Sequence, residues 1–509
     1  MVDANATITV NGSAVTNGQA ITTALNVGAN TITVQVTGKN GTTQKSYSIT
    51  VTRVNNTDNG NNNNGNNGSN SNNSSNSNNS NSGGTQGTIS TDTYTPILIN
   101  GKGMDVGRLT TSQRNEQTVT TITIDPSKFG EVLKLNGERS VVTIPFNSDS
   151  DVLIGELNGL LIKMMEEHNF DLEIKSEDAS YRIPAQQINI DAISRQAGTS
   201  VALKDITVQV EIASSTKENV KFAQDAAQNS NVTLIVPPFD FTVRAIYGNQ
   251  QVEVAEFNAY IERLIAIPDS VDPSRITTGV VINTDGTLRH VPTKLIQEEG
   301  KYFAIISSLT NSTYSLISNN VEFNDVAHHW GKQAINDMGS RLIVQGTGEG
   351  IFSPDKPITR AEFAAIVIRG LGLQPGTDAT GFVDVQASDW YSDAVGTARQ
   401  YQLITGFEDG SFRPMEMITR EQAMIIISKA MTLTGLKNRL PVQEANVTLQ
   451  SFTDGGQVSA WAQGDVAACI LAGVVTGRSD ATIASKADVT RAEVTIMLQQ
   501  LLKKSDLIL

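Results

Sequence analysis

Residues 355–371 read DKPITRAEFAAIVIRGL, and their phrase Thr-Arg-Ala-Glu (359–362) returns twice, as Thr-Arg-Glu-Gln at 419–422 within MEMITREQAMIIISKAM and as Thr-Arg-Ala-Glu at 490–493 within KADVTRAEVTIMLQQLL. The only three tryptophans of the chain, Trp330, Trp390 and Trp461, each stand 29 residues before the threonine of a copy. A glycine stands 13 residues before each threonine (Gly346, Gly406, Gly477), and Phe-x-Asp precedes each tryptophan at Phe323–Asp325, Phe382–Asp384 and Phe452–Asp454. Gapless agreement over such a span marks an internal repeat.

The register assigns a core. Positions 5, 8 and 13 after each tryptophan are Ile335/Val395/Val466, Met338/Ala398/Cys469 and Ile343/Leu403/Val474, which aligns the single cysteine with Met and Ala. After the first threonine, Phe363, Ile366, Val367 and Leu371 keep helical spacing. Each copy therefore reads as helix, loop, helix, and one such pair cannot bury its own apolar face; stacked copies can.

Thr-x-x-Glu before an apolar run is a capping box, with Thr359 as N-cap and Glu362 at the third helical position. Thr490 and Glu493 match it, and Thr419 with Gln422 is an allowed variant. Helix formation does not demand the arginine at the first position (Arg360, Arg420, Arg491), because a cation there opposes the macrodipole. Two readings stay open on the residues alone. The arginine joins the free helix N–H groups in holding an anion, or it forms a salt bridge to an aspartate of Phe-x-Asp.

The rest of the chain bounds the answer. Its 509 residues predict several domains. An excess of 52 acidic over 38 basic side chains, net −14, argues against nucleic acid and against anionic lipid. One cysteine excludes an intramolecular disulfide framework. Of the histidines, His168, His290, His328 and His329, none has a partner at ligand spacing, so no metal and no cofactor is implied. No apolar run is long enough to span a membrane. The opening MVDANATITV lacks the basic and apolar stretches of a signal peptide, so the chain reads as a piece of something longer.

Residues 1–54 alternate apolar and polar in short strands, a partial β-sandwich. Residues 55–90, mostly Asn, Ser and Gly, read as a disordered linker. Residues 91–320 read as a mostly-β, α+β region of one or two domains, with a well-buried helix expected over 151–167 (Leu153, Leu157, Leu160, Leu161, Met164) and a weaker one at KENVKFAQDAAQN. INTDGTLRHV lacks the alternating carboxylates of a calcium loop and is expected to be a hairpin turn. No carboxylate pair, nucleophile elbow or metal motif appears in this region, so the chain is not expected to be an enzyme. The repeats occupy 321–376, 377–440 and 441–509.

Two resemblances sharpen these readings. Gly28, Asn30, Thr31, Ile32, Gly41, Thr42, Tyr47, Ile49, Val51 and Arg53 resemble the closing half of a cadherin-like β-sandwich module of bacterial surface proteins. FNDV…HHW, FVDV…SDW and FTDG…SAW, followed by FSPDKPITRAE, FRPMEMITREQ and TIASKADVTRAE, resemble a tandem of three S-layer homology domains. That resemblance implies an all-α, pseudo-three-fold helical bundle with grooves between adjacent repeats. It further implies non-covalent attachment to the secondary cell wall polysaccharide of Gram-positive bacteria, outside the cell, through a terminal pyruvylated N-acetylmannosamine. Arg360, Arg420 and Arg491 would clamp the ketal carboxylate. Asp325, Asp384 and Asp454 would bind sugar hydroxyls or hold the arginines. Trp330, Trp390 and Trp461 would lie on sugar faces or fill the core. The third copy has Ile483 and Ser485 where the others have Phe352/Pro354 and Phe412/Pro414, and an insertion, KNRLPVQEANVTLQS, precedes it. Two competent grooves at most are therefore expected. The alternatives are the anchoring portion of an extracellular enzyme whose catalytic domain lies outside this chain, and a protein that self-associates in a surface lattice.

Overall fold

The computed structural model describes residues 7–15, 26, 28–37, 44–53, 94–135, 139–197, 201–376, 381–441, 444–478 and 481–509. They fall into two units, within Met1–Thr85 and Gln86–Leu509. The linker expected at 55–90 lies outside the described residues.

In the first unit Asn11 and Gly12 both take positive φ (49° and 82°), as a two-residue type I′ turn requires. That turn joins Thr7–Val10 to Ser13–Val15, and the longer pair Gly28–Thr37 and Gln44–Arg53 completes an antiparallel four-stranded sheet.

The central region is a mixed sheet with helices at Pro126–Leu135, Gly159–Glu167, Ile190–Ala197 and Lys217–Asn229. One apolar core runs from Ile97 to Leu316. The weaker helix expected at 217–229 forms, with the Thr216 side chain accepting from the Asn219 N–H. INTDGTLRHV is the hairpin between Thr278–Ile282 and Leu288–Val291. In its turn the Asp285 carboxylate accepts from the Thr287 N–H at 2.9 Å.

The helix expected over 151–167 needs correction. Val152–Asn158 is a strand, and only Gly159–Glu167 is helical. The strand pairs in parallel with Gln117–Ile124 and antiparallel with Thr207–Ser214, which covers both its edges. Val152, Leu153 and Ile154 are buried in succession, so both its faces are covered too. A strand buried on both faces loses period-2 alternation and reads as a continuous apolar run. Leu160, which the helical stripe placed inside, is 47% exposed. The boundary is written in Asn158, whose side chain accepts from the Leu161 N–H at 2.9 Å and caps the helix there. A Cβ on Gly155 would lie 2.7 Å from Ile144 Cδ1.

In the last third each copy supplies two principal helices. These are Lys332–Ser340 and Arg360–Gly370, Ser392–Gln400 and Arg420–Leu433, and Gln463–Leu471 and Arg491–Lys504. All three capping boxes form. Every residue that the tryptophan register assigned to the core is buried, Cys469 included, and burial pushes its thiol well above the ordinary range.

The copies join in a closed cycle. Ile358 N–H donates to Val489 O (3.1 Å), Val489 N–H to Ile418 O (3.0 Å) and Ile418 N–H back to Ile358 O (3.2 Å). All three side chains are fully buried. Around this ring, the N–H of each arginine reaches the following copy: Arg360 to Glu416 O, Arg420 to Ala487 O and Arg491 to Lys356 O.

The first copy is also seated on the central region. Tyr260 donates its hydroxyl to Leu371 O (2.7 Å), Asn319 Nδ2 donates to Ser340 O (2.8 Å), and Arg289 Nη1 donates to Gly372 O. Gly372 has φ of 64°, and a Cβ there would stand 3.0 Å from His290 O, so no other residue fits.

The strand at 152–158 yields a test. Gly155→Ala should destabilise the protein by about 1–3 kcal/mol through overpacking, read as a lower urea midpoint. A helix at this position would instead gain about 1 kcal/mol from the same change.

Candidate functional site

At each joint between copies a single residue is gripped from two sides. Phe412 donates its N–H to Asp384 Oδ1 at 2.7 Å, and the Arg413 N–H reaches Oδ2 of the same carboxylate at 2.7 Å. The Phe412 carbonyl accepts from Arg360 Nε of the preceding copy at 2.8 Å. Asp454 holds the N–H groups of Ile483 and Ala484 at 2.7 and 2.8 Å, while Arg420 Nε takes Ile483 O at 2.9 Å. Asp325 holds Phe352 and Ser353 at 2.9 and 2.7 Å, and Arg491 Nε reaches back to Phe352 O at 2.9 Å. The residues after the gripped ones, Arg413, Ala484 and Ser353, have φ between 53° and 60°. Such a left-handed conformation is costly for a side-chain-bearing residue, and the bidentate carboxylate holds it.

This geometry revises both readings of the arginine. The first two helix N–H groups are not free for an anion, because they donate to carbonyls of the next copy: Arg360 to Glu416 O and Ala361 to Pro414 O, with equivalents at Arg420/Glu421 and Arg491/Ala492. The third N–H is taken by the capping threonine. No direct pair forms between an arginine and an aspartate of Phe-x-Asp either, since the two grip opposite ends of one residue.

Beyond the shared Nε bond the three guanidinium groups differ. Arg420 Nη1 pairs with Glu493 Oε1 at 2.9 Å, and Arg478 Nη2 reaches the same oxygen at 3.0 Å. Arg491 donates from Nη2 to Gln345 O at 2.7 Å and has Glu362 Oε1 at 3.6 Å from Nη1. Arg360 makes no further hydrogen bond or ion pair among the described residues. Its guanidinium carbon lies 4.8 Å from the rings of both Phe407 and Phe412. Burial lowers the proton affinity of all three, opposed by Glu416 at Arg360, Glu493 at Arg420 and Glu362 at Arg491.

The tryptophans are not core residues. Trp330, Trp390 and Trp461 are 69%, 64% and 61% exposed. Trp461 of the third copy lines a groove of about 310 Å³ together with Arg360 of the first and Thr405, Gly406, Phe407, Gln422 and Lys429 of the second. No carboxylate lines this groove. The Lys429 side-chain amine has no hydrogen-bond partner among the described residues, and burial pushes its pKa down, with Asp465 opposing. Sequence reasoning missed Phe407, Gln422 and Lys429. Their signal was present as differences between copies: Phe407 aligns with Thr347 and Arg478, Gln422 with two glutamates, and Lys429 with Arg369 and Gln500.

Comparisons define the class. The S-layer homology domain matches residues 322–364, 381–424 and 451–495, and the cadherin-like β-sandwich domain matches residues 1–54. The chain carries three S-layer homology domains and an N-terminal cadherin-like domain, which mark it as a protein of the bacterial cell wall and surface. None of these domains is catalytic. It is 28% identical over 390 residues to an amylopullulanase of Thermoanaerobacterium thermosulfurigenes, covering 76% of this chain and 19% of the enzyme. It is 34% identical over 200 residues to an exoglucanase, XynX, of Acetivibrio thermocellus (39% of this chain, 18% of the relative). A surface layer protein of Brevibacillus choshinensis is 38% identical over 93 residues (18% and 8%). The chain spans less than a fifth of the length of each of these relatives.

Asp384→Ala leaves two N–H groups at a joint without their acceptor. It should cost about 2–3 kcal/mol and lower the melting temperature of the C-terminal helices by circular dichroism.

Proposed function

We propose that the last third holds this chain non-covalently to secondary cell wall polysaccharide, and that the bound element is an anionic, pyruvylated sugar seated in a groove between copies. The observation that carries this reading is the groove lined by Arg360, Lys429 and Trp461: two cations, one exposed indole and no carboxylate, drawn from three copies. A carboxylate would pair with the guanidinium nitrogens that Arg360 leaves unused. The apolar face of a pyranose would lie on Trp461, and Thr405 and Gln422 offer hydrogen bonds to its polar edge. The volume suits one or two sugar rings, at the small end of ligand pockets. The closed cycle of inter-copy hydrogen bonds supports a pseudo-three-fold bundle, and the groove at Arg360 draws on all three copies.

In this reading Asp325, Asp384 and Asp454 act by shaping the joints, the three arginines join the copies, and Arg360 also faces the ligand. Trp330 and Trp390 are exposed to the same degree as Trp461. The chain itself acts as an anchor rather than an enzyme.

A second reading, that the chain is the anchoring part of a longer extracellular enzyme, has its own support. The 390-residue alignment with the amylopullulanase is longer than residues 321–509, so the central region is shared as well.

The test is co-sedimentation of the full chain with Gram-positive sacculi before and after the polysaccharide is stripped. Binding should require the polysaccharide, and Trp461→Ala should weaken it about tenfold, in line with loss of one aromatic contact. Arg360→Lys, which keeps the charge but not the fork, should weaken it further than Trp461→Ala. Equal binding to stripped sacculi would overturn the reading.

A further inference from the structure

The residue three places after the capping threonine has two tasks in copies one and three. Glu493 caps its helix through Oε2, which accepts from the Thr490 N–H at 3.0 Å, and neutralises Arg420 and Arg478 through Oε1. Glu362 does the same, with Oε2 on the Thr359 N–H at 2.9 Å and Oε1 toward Arg491. Each glutamate is thus a cap for its own copy and a counter-ion for the arginine of the copy before.

Copy two has Gln422 in that place. Its Oε1 accepts from the Thr419 N–H at 3.2 Å, so the cap is kept. An amide has only one acceptor atom. With Oε1 turned to the cap, the second terminal atom is the NH2 group, where a glutamate would offer a second acceptor. Nε2 has no partner among the described residues. Gln422 therefore presents a donor to the groove it shares with Arg360. The neighbouring loop differs in the same sense. Where the third copy has Arg478 bound to its own glutamate, the second has Phe407 stacked on Arg360.

We propose that Gln422 selects the ligand groove: the chain takes one anionic sugar, at Arg360, while Glu493 and Glu362 fill the equivalent places at Arg420 and Arg491 from within. This rests on the reading that a groove of this kind takes a carboxylate-bearing sugar, and it adds which groove does so and why. The cap position is where selectivity is set, because Glu and Gln serve the helix equally and the arginine oppositely.

The test is calorimetric titration of the full chain with the methyl glycoside of pyruvylated N-acetylmannosamine. The wild-type chain should bind one equivalent. Gln422→Glu keeps a capping residue that already serves both other copies, so folding is preserved, and should weaken binding roughly tenfold or more by placing a negative charge beside the ligand's own. Glu493→Gln combined with Arg478→Phe rebuilds the copy-two arrangement and should raise the stoichiometry to two. Wild-type affinity in Gln422→Glu, together with loss of binding in Arg360→Ala, would overturn the selector role and leave the anchoring function standing. A wild-type stoichiometry above one would also overturn it. Undiminished binding in both Arg360→Ala and Trp461→Ala would remove the functional reading itself.

Discussion

One residue per joint, held through its N–H by an aspartate of its own copy and through its carbonyl by an arginine of the copy before, is the constraint on which the anchor depends. Phe412, Ile483 and Phe352 occupy that position in turn, and the third joint closes on the first. A linear stack of repeats leaves two terminal faces that need their own caps. A cycle leaves none, and the principal helices of all three copies share one apolar core. The left-handed residues that follow the gripped ones are affordable only because two charged groups converge there. The same convergence brings the Arg360 guanidinium to the wall of a groove, so the element that assembles the copies also shapes the proposed ligand site.

Under the proposed function, that double use lets a chain with a net charge of −14 present a local site for an anion. Distant charges are screened within about 10 Å at ordinary ionic strength. What counts is the set of groups lining the groove, and at Arg360 that set holds two cations and no carboxylate. At Arg420 the guanidinium is already satisfied by Glu493, and at Arg491 by Gln345 O with Glu362 nearby. Three copies of one phrase thus give three electrostatically distinct joints. The ring at Ile358, Ile418 and Val489 is indifferent to these differences, since it is built from backbone alone.

What was legible in the sequence was local or periodic. The tryptophan register found Ile335, Met338, Val395, Cys469 and their equivalents as core, and Thr-x-x-Glu found three helix starts, because both depend on residues a few places apart. The strand at Val152–Asn158 was not legible, since burial on both faces erases the alternation that identifies a strand, and Leu153 and Leu157 fit a helix equally well. The partners of Arg360, Arg420 and Arg491 were not legible either. Which loop meets which helix start is fixed by the order of copies around the cycle, and that order is a tertiary fact. The substitution of Gln422 was visible but read only as a tolerated cap. Its second terminal atom acquires meaning once the preceding copy's arginine is known to share its groove.

The most direct measurement is a crystal structure of the full chain with the methyl glycoside of pyruvylated N-acetylmannosamine. The account predicts a single ligand, its carboxylate on the Arg360 guanidinium and the Gln422 NH2 group, its ring against Trp461. A ligand bound at Arg420 or Arg491 with the Arg360 groove empty would contradict it.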